Sequence, residues 1–134
     1  MLIPMLSLIL SIAAPGSLTP LERAIWTVET NRCPSDCPKG DGGKAIGPLQ
    51  IHRACFEDVR RPGEKYTDCK RLDFSVQVFR RYMKRYATKQ RLGRVTDEAK
   101  ARIWNGGPMG HRRFATKNYW AKVQRALNGE EQCQ

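Results

Sequence analysis

Acid is scarce in this chain. Its 134 residues hold 13 Asp plus Glu against 24 Lys plus Arg, a formal charge of +11. Such a balance favours an anionic partner: nucleic acid, a membrane surface or an acidic wall polymer. Long apolar runs are missing too. Met1–Ala14 (MLIPMLSLILSIAA) falls short of the roughly 20 residues that span a bilayer. No segment repeats at a fixed period, and neither a phosphate-binding glycine motif nor a Ser-His-Asp signature is present. Repeat arrays, nucleotide-binding folds and triad hydrolases are thereby excluded. Cysteines number five, at 33, 37, 55, 69 and 133. A zinc site from Cys33, Cys37, Cys55 and His52 would need spacings this chain does not have, so no metal or cofactor is expected.

What is present fits one exported domain. A mass of 15.3 kDa is enough for a single core and too little for two. Met1–Ala14 carries no charge, and the first charged residue is Glu22. With Ala13, Ala14, Gly16 and Ser17 as a small-residue cleavage region, residues 1–17 read as a secretory signal peptide whose positive n-region is reduced to the amino terminus. The expected division is a signal peptide at 1–17, a domain at 18–129 and a tail at 130–134. Export places the chain where disulfides form, so Cys33, Cys37, Cys55 and Cys69 are expected to pair, in an order the sequence does not assign, with Cys133 left over. Export also makes a wall polymer a better anionic partner than nucleic acid. No recognition helix or RNA-binding motif speaks for the latter. A secreted, extracellular monomer without stable membrane insertion is expected.

The stretch Ala24–His52 carries the chemistry. Thr19-Pro20-Leu21-Glu22 is a helix start, with Thr19 as cap, Pro20 at the first helical position and Glu22 completing a capping box. Leu21, Ala24, Ile25 and Val28 then form an apolar stripe with Glu29 at its edge, near the helix C-terminus. There the helix dipole and desolvation both disfavour an anion. Periodicity alone favours a plain surface glutamate at this position. Asn31–Gly43, with two prolines and three glycines, reads as loop, and it holds Asp36 and, in Gly40-Asp41-Gly42-Gly43, Asp41. An acid on an apolar helix edge beside an acid in a polar loop is the pairing that separates two carboxylate pKa values. Ala45–His52 reads as a strand interrupted by Gly47-Pro48, with Leu49 and Ile51 packed and Gln50 and His52 projecting together.

Further on, the sequence predicts a short helix at Ala54–Val59, a Pro-Gly turn at 62–63 and a central helix at Asp73–Ala87. Phe74, Val78 and Tyr82 of that helix recur at intervals of four. Thr96 caps a helix over Asp97–Trp104 that Asn105-Gly106 should end in a left-handed cap. A last helix begins at Thr116, carries Tyr119, Val123 and Leu127, and should stop at Asn128-Gly129.

Three segments in order resemble the invertebrate-type (destabilase-like) lysozymes of the wider lysozyme superfamily. They are AIWTVETN (24–31) with GDGGKAIGPLQIH (40–52), YMKRY (82–86), and ARIWNGGPMG (101–110) leading to YWAKV (119–123). The resemblance implies an α+β, mostly helical fold: a helical lobe and a small β-hairpin lobe with a groove between them. It also assigns roles. Glu29 matches the family's acid and Asp41, twelve residues on, its second carboxylate, while Asp36 does not fit. Gly47–His52 and Asn105–Pro108 match groove-lining segments, which makes Gln50, His52, Asn105 and Gly106 the implied substrate-binding residues. The implied activity is hydrolysis of the β-1,4 bond between N-acetylmuramic acid and N-acetylglucosamine in peptidoglycan, with retention if the carboxyls stand roughly 5–5.5 Å apart. Two departures stand out. Animal members carry more cysteines, and the histidine that often precedes Asn-Gly-Gly is here Trp104, so isopeptidase activity is not expected.

Two other functions compete. A lytic transglycosylase would use Glu29 alone and release an anhydro sugar. A non-catalytic cationic antimicrobial or wall-binding protein would act through charge and need neither acid.

Overall fold

The computed structural model describes residues 17–132; all but the last residue of the expected signal peptide, and Cys133, lie outside the described residues. Helix α1 (Pro20–Thr30) starts as its sequence dictates. The Glu22 amide donates to the Thr19 hydroxyl at 3.2 Å, and the Thr19 amide donates to the Glu22 carboxylate at 2.9 Å. Glu22 has a second partner. It is only 3% exposed and receives two hydrogen bonds, at 2.7 and 2.9 Å, from the Arg80 guanidinium on the central helix α3 (Leu72–Tyr86). One carboxylate thus caps α1 and fixes it to α3.

The core gathers the faces that periodicity marks. Leu21, Ala24 and Ile25 of α1 meet Phe74, Val78, Phe79, Tyr82 and Met83 of α3, all buried, while Val28 is only partly so. The short helix α2 (Arg53–Val59) contributes Phe56. A single-turn helix, α4 (Lys89–Leu92), is capped by Thr88 and lies between α3 and α5 (Asp97–Gly106). No periodicity announces a helix that short.

Helix α6 (Lys117–Gln132) lies along α1 and buries Val123. It does not stop at Asn128-Gly129. The Glu130 carboxylate accepts a hydrogen bond from Arg23 at 2.8 Å and pairs with Arg32, and these anchors carry the helix through the glycine. The left-handed end of α5 also falls later than expected. Gly106 is still helical, and its α-carbon faces Thr116, where a side chain would come within 2.5 Å of Cγ2. Gly107, at φ +84°, makes the turn.

The segment expected as one strand is a hairpin. Strands β1 (Ala45–Ile46) and β2 (Ile51–His52) pair antiparallel, Ala45 opposite His52 and Ile46 opposite Ile51. The reversal falls at Gly47-Pro48-Leu49-Gln50, where Gly47 (φ +78°) and Gln50 (φ +51°) are left-handed and the Gln50 amide donates to the Gly47 carbonyl at 3.1 Å. Gly47 is also a point of closest approach: a Cβ there would lie 1.8 Å from the Cys69 carbonyl oxygen.

Only one of the expected disulfide pairings forms. Cys33 and Cys37 are bonded, clipping the loop after α1. Cys55 and Cys69 carry free thiols, a correction to the four-cysteine expectation. Burial pushes both thiols up to about 12. The thiolate that would attack a disulfide is therefore suppressed.

Candidate active site

Glu29 sits in the last turn of α1, half-buried, with no basic residue in that turn. Its Oε1 accepts a hydrogen bond from the Tyr119 hydroxyl of α6 at 2.7 Å. Burial pushes the carboxyl up to about 7, against the downward pull of the Tyr119 bond and of the Lys122 charge. An acid of that strength is protonated in a large fraction of molecules near neutral pH and can give its proton away.

The chain then leaves the helix through two left-handed residues, Asn31 and Arg32, and is held by side chains. The Trp26 indole donates to the Cys33 carbonyl at 2.8 Å, and the Thr30 hydroxyl donates to the Pro48 carbonyl at 2.8 Å. The second of these ties the end of α1 to the hairpin turn. From the turn, the Gln50 amide donates to the Pro38 and Gly47 carbonyls, each at 3.0 Å. Gln50, expected to line the substrate groove, also braces through its amide nitrogen the loop that carries Asp41.

Asp41 opens a turn of three left-handed residues, Asp41, Gly42 and Gly43, at φ +50°, +64° and +88°. Aspartate is among the few side chains that tolerate this conformation. Gly40 and Ala45 close the turn with reciprocal backbone hydrogen bonds of 3.1 Å. The Asp41 carboxylate is 67% exposed and lies 3.5 Å from Nε2 of His52. The two acids therefore occupy contrasting environments, one desolvated and one in water.

Glu29, Gly40, Asp41, Ala45, Gln50, His52, Trp104 and Asn105 line one cleft of about 270 Å³. Five of the six expected site residues thus come together. Gly106 is not among the walls, because its α-carbon turns toward Thr116. A wider hollow of about 520 Å³ lies at the other end of α1, but the buried carboxyl there, Glu22, is committed to Arg80 and the helix cap. Among the described residues no three His, Cys, Asp or Glu side chains gather as metal ligands would.

Besides the small residues Gly40 and Ala45, the expected set lacks two aromatic residues, one in the wall and one in its support. Trp104 packs edge-on against Phe79 and Tyr82, at 5.1 and 5.9 Å between ring centroids, and presents part of its surface to the cleft. Tyr119 falls in the apolar stripe of α6, and nothing in that stripe reveals a hydroxyl aimed at an acid 90 residues earlier.

No family model matches the chain. It is 35% identical over 103 residues to lysozyme 1 of Crassostrea virginica, covering 76% of this chain and 55% of that protein. The chain thus spans about half the length of that relative. It is 33% identical over 100 residues to the invertebrate-type lysozyme of Ruditapes philippinarum, covering 73% of each. Among solved structures, the lysozyme of Tapes japonica superposes with a TM-score of 0.69 at 30% identity, over 80% of this chain and 88% of that one.

Proposed function

The chain belongs to the invertebrate-type lysozymes, a family of glycoside hydrolases, and from that premise we propose that it hydrolyses the β-1,4 bond between N-acetylmuramic acid and N-acetylglucosamine in bacterial peptidoglycan. The observation that carries the reading is the contrast between Glu29, raised to about 7 by burial, and exposed Asp41 on the walls of one cleft. Glu29 gives its proton to the leaving oxygen as the glycosidic bond breaks. Asp41 meets the developing positive charge at the anomeric carbon, either by bonding to it or by stabilising it as an ion. The departing sugar then leaves room for water. Glu29, now a carboxylate, takes a proton from that water as the water oxygen bonds to the anomeric carbon and any bond from that carbon to Asp41 breaks, which frees Asp41 and restores the acid. His52, 3.5 Å from Asp41, orients the second carboxylate, and Asn105 offers a polar edge to the sugar.

The +11 charge serves the same reading by concentrating the enzyme on anionic walls, so lysis weakens as salt screens the attraction. Secretion after removal of residues 1–17, and action as a monomer, belong to this proposal. No helix among the described residues is long and apolar enough to cross a membrane.

Turbidity clearing of purified peptidoglycan by wild type and by Glu29→Gln, with products read by mass spectrometry, tests the proposal. Wild type clears and leaves reducing-end muramic products, and Glu29→Gln does not clear. Equal clearing by both would mean that the protein acts on walls through charge alone.

A further inference from the structure

Beside the cleft lies a second hollow of about 390 Å³, walled by Gly43, Lys44, His52, Arg53, Ala54 and Tyr66. The two share His52 as a common wall, and Gly43 ends the Asp41 turn with Lys44 directly after it. We propose that this hollow receives the acidic peptide stem of the muramoyl sugar and makes the enzyme selective for peptide-bearing glycan. The proposal rests on the hydrolase reading above and names the part of the substrate that the cleft does not hold.

The wall of the hollow is fixed. The Tyr66 hydroxyl donates to the Ile51 carbonyl at 2.6 Å, with the Lys44 carbonyl at 3.2 Å. One phenol therefore ties β2 to the far end of the Asp41 turn. The Arg53 guanidinium lies 4.5 Å from the centre of the Tyr66 ring, a stacking that orients its planar fork.

The charge there is unspent. On α3 the arginines are matched to carboxylates: Arg80 to Glu22, Arg81 to Glu64, Arg85 to Asp58. Among the described residues Arg53 pairs only with Glu57, at 4.0 Å, with both side chains more than half exposed; such a pair adds little and yields readily to a better acceptor. Lys44 takes part in none of the ion pairs formed by the described residues.

The substrate supplies the matching anion. The N-acetylglucosamine units are neutral, and in a peptide-bearing strand the lactyl carboxyl of each muramoyl sugar is bound in the amide to the peptide, so the remaining carboxylates sit on the peptide. A stem on a sugar held in the cleft would project over the His52 wall into a site with two cations, Lys44 and the forked donor Arg53. An uncharged β-1,4 glycan of N-acetylglucosamine has nothing to place there.

The test uses soluble glycan strands free of teichoic acid, either peptide-bearing or stripped of peptide by an amidase and then converted to the primary amide at the lactyl carboxyl that the cut exposes. Wild type, the Lys44→Ala/Arg53→Ala double variant and Arg53→Lys are assayed by new reducing ends. Wild type prefers the peptide-bearing strand. The double variant loses about tenfold in kcat/KM on that strand, mainly through KM, as loss of charged hydrogen bonds at a solvated site predicts. It matches wild type on the stripped strand, and Arg53→Lys falls between. An equal loss on both strands, or none on either, overturns the proposal. A loss seen only on whole walls that retain teichoic acid assigns the hollow to polymer phosphates instead and overturns it too. Wild type inactive on both strands sinks the hydrolase reading and this proposal with it.

Discussion

The Tyr119 hydroxyl donates to Oε1 of Glu29 at 2.7 Å, joining residues 90 apart in sequence. Burial raises the acid and the phenol lowers it, and burial wins, leaving the carboxyl at about 7. The bond also selects one orientation of a carboxyl at a helix end. Tyr119→Phe removes the stabilisation of the charged form and leaves the apolar surroundings in place. The alkaline limb of kcat, where the acid loses its proton, moves to higher pH, and the maximum rate falls several-fold because the acid is less well aimed. Rate profiles at constant ionic strength check this. An unmoved limb would show that Tyr119 merely packs.

Glu29 weakens the fold at high pH. Its carboxyl stands at about 7 in the folded chain against the usual 4.5, so between those values the folded state keeps a proton that the unfolded chain has released. The stability that this proton contributes is then fully present below about pH 4.5 and is lost as pH rises through 7. Glu29→Gln removes that decline. At pH 8 the variant is more stable than wild type, on the order of 1–3 kcal/mol, and at pH 4 the two are alike. Urea midpoints at both values measure it; a variant less stable than wild type at pH 8 contradicts the burial account.

The large elements were legible in the sequence where one signal dominated. The Thr19–Glu22 box gave the start of α1, and the spacing of Phe74, Val78 and Tyr82 gave α3. Boundaries failed where a tertiary contact overruled a local signal. Glu130 is anchored to Arg23 where α6 runs past Gly129, Gly106 is the residue that fits against Thr116 inside α5, and Gly47 is the residue that fits over the Cys69 carbonyl where an apparent strand turns back as a hairpin. The positions of Glu29, Asp41, His52 and Asn105 on one cleft followed from resemblance, since periodicity alone favoured a surface role for Glu29. Tyr119 was invisible, because an aromatic in an apolar stripe carries no mark of where its hydroxyl points.

Glu22 and Arg80 offer a test of how the helical lobe is held. Glu22 is 3% exposed, whereas the Arg80 side chain is 45% exposed. Arg80→Ala therefore strands a buried carboxylate. Glu22→Gln keeps a capping oxygen, and the arginine it releases can turn to water. Arg80→Ala is expected to be the worse of the two, at about 3 kcal/mol, with roughly 1–2 kcal/mol for Glu22→Gln. Both variants stay active below their unfolding temperatures, since this pair lies at the far end of α1 from Glu29. Chemical denaturation at pH 7 gives the order, and the reverse order would mean that the arginine contributes only at the surface.

Asp41 decides between two chemistries that share Glu29. If both carboxyls act, Asp41→Asn leaves the positive charge at the anomeric carbon unanswered and closes the covalent route. Activity should then fall on the order of a hundredfold or more, the contribution of a positioned catalytic group, while binding of glycan is unchanged. If Glu29 works alone, the internal 6-hydroxyl of the muramoyl sugar replaces water, an anhydro product forms, and Asp41→Asn keeps most of its rate. His52→Ala separates positioning from chemistry: with Nε2 removed from its place 3.5 Å from the carboxylate, a wandering Asp41 costs rate but not product identity. Mass spectrometry of the products together with the rates of both variants discriminates the schemes. Reducing products with a crippled Asp41→Asn establish the two-carboxylate hydrolase, and anhydro products with an active one establish the transglycosylase. Proton NMR of the first-formed anomer then reports whether configuration is retained, as attack by Asp41 followed by water requires.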